Sequence, residues 1–149
     1  MTGDSPDHSS LEIRMRMPNH MALTRPLREF LALTLEAQGF DEEDIDEIRL
    51  VATEMVNNSF EHASDRPMHE VEVRILVDDE RWEFRIWDEG EGRLTQKDFE
   101  FEGEGPPDHL GDRGRGTYLI TCFSDEVEVT EVPGGGTEVK VTKYRKGDE

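Results

Sequence analysis

Cysteine, basic residues and long apolar runs are all scarce in this sequence, and each scarcity removes a class of protein. Cys122 stands alone in 149 residues, so no intrachain disulfide can form and a reducing cytoplasm is the natural setting. No stretch is long or apolar enough to cross a membrane. Met1 to Ser10, with Asp4 and Asp7 and no apolar segment, does not read as a signal peptide. Lys and Arg together number 17 against 36 Asp and Glu, a net charge of −19. Such a field repels phosphate backbones and argues against direct nucleic-acid binding, while leaving basic protein surfaces as partners. Any nucleotide must then arrive with a divalent cation and meet a locally positive cradle. The expectation is a cytoplasmic protein with no membrane contact.

What is present fits one domain. Hydrophobic residues make up 34% and charged residues 36%, but the apolar ones fall in periodic segments that can build a single core. Residues 11–144 are expected to form that domain, with short disordered tails at 1–10 and 145–149.

Leu11 to Met17 alternates apolar and polar, the period of a half-buried strand, and Pro18-Asn19 ends it. From His20 to Gln38, Leu23, Leu27, Phe30, Leu31, Thr34 and Leu35 recur at helical spacing, with Pro26 confined to the first turn and Gly39 as the stop. Asp41 opens a second helix running to about Ala63, its buried face lined by Ile45, Ile48, Ala52, Met55 and Ser59. Glu70 to Val77 and Arg81 to Trp87 form a hairpin turned at Asp78-Asp79-Glu80. Arg93 to Arg113 is glycine- and proline-rich without periodicity, a long loop of the functional kind. A short helix from Thr117 to Phe123 precedes a second hairpin, Glu126 to Val132 and Thr137 to Tyr144, turned by Pro133-Gly134-Gly135-Gly136. Hairpins with helices between them predict an α+β two-layer sandwich, one sheet face covered. Trp82 and Trp87, and Met15, Met17, Met21 and Met55, are expected to pack in the core or at its edge.

Three segments concentrate chemistry. Glu54 and Asn58 lie one helical turn apart on a face that adjoins the buried stripe. An amide oxygen can ligate Mg²⁺, and a carboxylate beside it can accept a proton. Taken alone, the pair is equally an ordinary solvated helix face. At the end of a strand, Asp88-Glu89-Gly90-Glu91-Gly92 offers a carboxylate for an exocyclic amine and two glycines that let backbone approach a ligand; alone it is also plain turn chemistry. Gly111-Asp112-Arg113-Gly114-Arg115-Gly116-Thr117 runs into a helix, where free amides and two arginines make an anion cradle, though without the Lys-Ser/Thr of a P-loop.

In this order and spacing the three segments resemble the N, G1 and G2 boxes of the GHKL (Bergerat) superfamily. Gly134-Gly135-Gly136-Thr137-Glu138-Val139 resembles the Gly-Thr pair on that family's last strand. Within it, Glu54-x-x-x-Asn58-x-x-x-His62-Ala63 is most similar to the anti-sigma-factor serine/threonine kinases, and the likeness runs from Leu11 to Tyr144. The resemblance implies a histidine-kinase-like ATPase fold, with a mixed, mostly antiparallel sheet and helices on one face. It implies that Asn58 ligates Mg²⁺ on the phosphates of ATP and that Glu54 is the general base. Asp88 would bond the adenine amino group with Thr137 in support, and Gly90 and Gly92 would line the adenine pocket. Gly114 and Gly116, with Arg113, Arg115 and Thr117 of the same segment, would hold the phosphates beneath a lid drawn from Arg93 to Arg113.

Two features depart from many relatives: the arginines flanking Gly114, and Asn57 beside Asn58, where helical phase favours Asn58. His62 reads as structural, because the phosphorylated histidine of a sensor kinase sits on a separate helical domain. The nucleophile implied by the resemblance is a Ser or Thr of a STAS-domain anti-anti-sigma protein, with a sigma factor as the alternative partner and a homodimer as a family expectation. The other readings are a GHKL module that binds nucleotide or protein without phosphorylating, and an ATP-binding domain of histidine-kinase type or an orphan ATPase. A chain starting at Met1 argues against a fragment.

Overall fold

The computed structural model describes residues 10–18, 20–62, 70–88, 94–101 and 112–145; the side chains of 60–62 and 112–114 are outside that description. Most of both expected tails, Gly90 and Gly92, and the His62 side chain therefore lie outside the described residues.

Five strands form one sheet in the order β1-β2-β3-β5-β4: β1 Leu11–Pro18, β2 Glu70–Val77, β3 Arg81–Asp88, β4 Glu126–Glu131 and β5 Thr137–Tyr144. Helices α1 (Thr24–Ala37), α2 (Glu42–His62) and α3 (Asp112–Phe123) supply the second layer. Every strand pairing is antiparallel, so the parallel component of the expected mixed sheet is absent among the described residues.

Alternation decides the faces. Val71, Val73, Ile75 and Val77 of β2, Trp82, Phe84 and Ile86 of β3, and Val139 and Val141 of β5 are buried in one core. Leu27, Leu31 and Leu35 of α1, the apolar stripe of α2 and Ile120 of α3 complete it. All five residues expected on the buried face of α2 are buried. Trp82 is wholly enclosed, and Met17 and Met55 are core residues, but Met21 is 52% exposed and Phe30 is 42% exposed. Met21 lies in a 3₁₀ turn, Met21–Leu23, that splits the expected first helix, so its side chain never reaches the helical stripe.

Local capping sets the helix ends. Asp41 Oδ1 accepts from the Asp44 amide at 2.8 Å and opens α2, followed by Glu42, Glu43 and Asp44 in the first turn. Gly39, at φ +83°, closes α1, and the Phe40 amide reaches back to the Leu35 carbonyl. Arg145 stacks over the Phe40 ring at 4.5 Å and donates to the Gln38 and Gly39 carbonyls, which fastens the end of β5 to the α1–α2 corner. A second tie is ionic: Lys143 Nζ of β5 meets Glu47 Oε2 of α2 at 2.6 Å, with both side chains largely buried.

Part of the segment expected to be patternless is built. Thr95 and Asp98 form a capping box around a 3₁₀ turn, Gln96–Phe99, and Phe99 is buried. The Gln96 amide donates to the Val127 carbonyl at 2.8 Å and accepts from the Val129 amide at 2.9 Å. One side chain thus occupies the hydrogen-bonding groups of the β4 edge.

Candidate functional site

The packing of α2 against α3 brings the first and third chemical segments together. Glu54 is half-buried and Asn58 is 5% exposed, deeper than a face merely adjoining the buried stripe. The reason is α3, whose first turns cover this part of α2. Gly116 stands against both side chains: a Cβ there would lie 2.8 Å from Glu54 Oε2 and 3.4 Å from Asn58 Oδ1. The neighbouring Asn57 is engaged elsewhere, its Oδ1 accepting from the Thr24 hydroxyl of α1 at 3.2 Å. Of the two adjacent asparagines, only Asn58 shares Gly116 with Glu54.

Helix α3 begins at Asp112, five positions before the expected Thr117. Gly114 and Gly116 lower helix propensity by about 1 kcal/mol each, which hides the start from a local reading. Tertiary packing overrides it, because Gly116 fits where any side chain would strike Glu54. Gly114 and Gly116 therefore belong to the opening turns of α3 rather than to a preceding loop. Arg115 is exposed and Thr117 is buried; the Arg113 side chain and the burial of Gly114 are outside the description.

The second segment joins at the end of the sheet. Asp88 is the last residue of β3 and stands opposite Thr137, the first of β5, so both point to the helix-covered face. Thr137 is buried, and its hydroxyl has no hydrogen-bond partner among the described residues; neither has Asn58 Nδ2. Gly136 holds this corner closed. Its φ is +94°, and a Cβ would lie 2.6 Å from the Asp88 carbonyl oxygen and 2.6 Å from Trp87 Nε1. From sequence, Gly136 reads as a turn glycine and as part of the segment that resembles a Gly-Thr pair, with no signal of this close approach.

Beside Asn58 lies a cavity of about 10 Å³ lined by residues including Ile86, Leu94, Phe99, Ile120 and Val139. That is about the space of one water probe, far below a purine ring. Leu94 and Phe99 come from the segment read as a patternless lid; the Thr95–Asp98 capping box was the signal that could have found them.

The donor set fits a magnesium nucleotide. Mg²⁺ takes few protein ligands and completes its shell with phosphate oxygens and water, so one asparagine amide beside a carboxylate suffices. Two buried polar groups without a partner among the described residues, Asn58 Nδ2, a donor suited to a phosphate oxygen rather than to the metal, and the Thr137 hydroxyl, are of the type that a bound nucleotide satisfies.

Residues 17–143 match the family described as histidine kinase-like ATPase domain. The chain belongs to that family. Histidine kinase-like ATPase relatives include the serine-protein kinase RsbW of Bacillus velezensis, 28% identical over 141 residues, covering 91% of this chain and 87% of the relative. RsbW of Bacillus cereus is 25% identical over 137 residues, covering 89% and 84%. Among solved structures, the chain resembles the SiaB–SiaC complex of Pseudomonas aeruginosa (TM-score 0.61, 14% identity, 89% of each chain). It also resembles the RsbU and RsbW domains of a Mycobacterium tuberculosis protein (TM-score 0.61, 17% identity), covering 93% of this chain and 34% of that longer one. These two likenesses establish the fold. No helix among the described residues is long and apolar enough to cross a membrane.

Proposed function

We propose that this histidine kinase-like domain is an ATP-dependent serine/threonine kinase of the partner-switching kind, acting in the cytoplasm. It would phosphorylate a small STAS-domain anti-anti-sigma protein and hold a sigma factor in alternation with it. The observation that carries the reading is the meeting of Glu54 and Asn58 at Gly116 on the first turns of α3. Mg²⁺, when bound, neutralises phosphate charge. Asn58 would hold it through its amide oxygen, and the α3 amides with Arg113 and Arg115 would supply further positive potential. Glu54 would take the proton from the partner's Ser or Thr hydroxyl as that oxygen attacks the γ-phosphorus and ADP leaves. Asp88 and Thr137 would read the adenine from the end of the sheet, with Gly90 and Gly92 lining its pocket.

The RsbW relatives are named serine-protein kinases, and a SiaB–SiaC structure holds a member of this fold in a complex, which supports both halves of the proposal. The test is incubation with labelled ATP, Mg²⁺ and a STAS-domain partner encoded nearby. Label on a partner Ser or Thr is expected; a folded protein that binds Mg-ATP but never labels the partner overturns the kinase reading.

The narrowness of the cavity at Asn58 favours a second reading, a module that binds its partners without turning nucleotide over. Partner binding that is unchanged without nucleotide, and unchanged in Asn58→Ala, would establish that module instead.

A further inference from the structure

Residues 94–101 are held at two points, and neither belongs to the chemistry assigned to Glu54 or Asp88. The first is Gln96. Its side-chain amide donates to the Val127 carbonyl at 2.8 Å and accepts from the Val129 amide at 2.9 Å. These two backbone groups straddle Glu128 on the outer edge of β4, where an added strand would engage them. A primary amide carries its donor and its acceptor on separate atoms of one uncharged group, which is what closing both bonds at once requires.

The second point is α3. The Thr121 hydroxyl, which donates to the Thr117 carbonyl at 2.9 Å, also reaches the Phe99 carbonyl at 3.3 Å. The Phe101 and Tyr118 rings meet edge to face, with centroids 5.2 Å apart. Between these points the Thr95–Asp98 capping box fixes the single 3₁₀ turn Gln96–Phe99. Phe99, three residues after Gln96, is buried and helps to wall the small cavity beside Asn58. Asn58 is itself buried, and its Nδ2 has no hydrogen-bond partner among the described residues. The packing of its neighbours therefore bears on how that amide is turned. Gly116 stands on one side of it and the cavity walled by Phe99 adjoins it.

We propose that Gln96 is a positioning residue for the magnesium-nucleotide site: by gripping the β4 edge it seats Phe99 against α3 and beside Asn58, and so keeps the Asn58 amide in place. The role presupposes the nucleotide reading of Asn58 given above. Gln96 acts at one remove, because its own bonds end on β4. Without them the turn is free at one end, and Phe99 samples positions other than the seated one. Nucleotide affinity then falls by the fraction of molecules in which Asn58 is no longer held. Glu54 is not among the residues that wall the Phe99 cavity, so the step that takes up the proton is spared. Loss of Gln96 should therefore weaken binding and leave turnover of the bound nucleotide nearly unchanged.

The experiment uses Gln96→Met, which keeps the length and apolar stem of the side chain and removes both bonds. Calorimetric titration of the full chain with Mg-ATP is expected to show affinity lowered about three- to tenfold, with the circular dichroism of the wild type retained. In phosphoryl transfer, KM for ATP rises by the same factor and kcat stays within about twofold. Phe99→Leu keeps the cavity wall filled. If Gln96 acts through Phe99, adding Gln96→Met to Phe99→Leu costs no further affinity. Equal Mg-ATP affinity in folded Gln96→Met overturns the proposal, and self-association of that variant at unchanged affinity assigns Gln96 to guarding the β4 edge instead. Losses that add in the double variant overturn the route through Phe99, and a fall in kcat at unchanged KM overturns it in favour of a loss of folded protein. A wild-type chain that binds no Mg-ATP overturns the nucleotide reading and this role together. One that binds it but transfers nothing overturns the kinase reading alone, and the calorimetric comparison still decides for or against Gln96.

Discussion

Gly116 leaves no room for a side chain above Glu54: a Cβ would stand 2.8 Å from the carboxylate Oε2 and 3.4 Å from Asn58 Oδ1. Glu54 and Asn58 come from one helix and Gly116 from another, so the proposed catalytic pair is held by a contact between α2 and α3 that depends on a missing atom.

Gly116→Ala therefore separates stability from chemistry. Alanine is the better helix former by about 1 kcal/mol, and the struck atom is the far end of a flexible side chain, so the fold adjusts. The melting temperature is expected to hold or rise while phosphoryl transfer falls more than tenfold. A large fall in melting temperature would show that Gly116 serves packing alone.

Glu54→Gln keeps the shape and removes the base. Transfer to the partner should fall by about 10²–10⁴-fold, with Mg-ATP affinity nearly intact. Weakened nucleotide binding in this variant would assign Glu54 to the phosphates or the metal instead.

Asn58→Ala should abolish magnesium-dependent nucleotide binding, measured by titration with and without Mg²⁺. Asn57→Ala is the control: Asn57 bonds Thr24 on α1, so its loss is expected to lower stability slightly and leave binding in place.

The turn glycines differ in consequence. At Gly134 a Cβ meets nothing within 4 Å, so Gly134→Ala carries only the penalty of its φ of +95°. At Gly136 the added carbon strikes backbone of Asp88 at 2.6 Å, which cannot swing away. Urea denaturation should show Gly136→Ala as the more damaging, by about 1–3 kcal/mol.

Lys143→Met strands the Glu47 carboxylate, 22% exposed, without its partner at 2.6 Å. A loss of about 1–3 kcal/mol is expected, most of it recovered when Glu47→Leu is added. Two single variants that sum to the double would mean the pair contributes nothing.

Strand and helix identities were legible because their signals are local. Alternation in Glu70 to Val77 and Thr137 to Tyr144 gives β2 and β5 their observed limits, and Asp41 and Gly39 mark the α1–α2 corner through backbone groups a few residues away. The spacing of Glu54 and Asn58 likewise put two polar groups on one side of a helix. The opening of α3 was not legible, since Gly114 and Gly116 mask a helix that tertiary packing, chiefly against α2, sustains.

What the chain's order of residues determined, then, was which segments are strands or helices and which polar groups could share a turn. Tertiary structure alone decided that Asn58 rather than Asn57 meets Gly116 and that Gln96 occupies the β4 edge. The physical reason is range. Periodicity and capping act over one turn or one pleat, whereas register and interhelical contact join residues dozens of positions apart and are fixed only when the whole core closes.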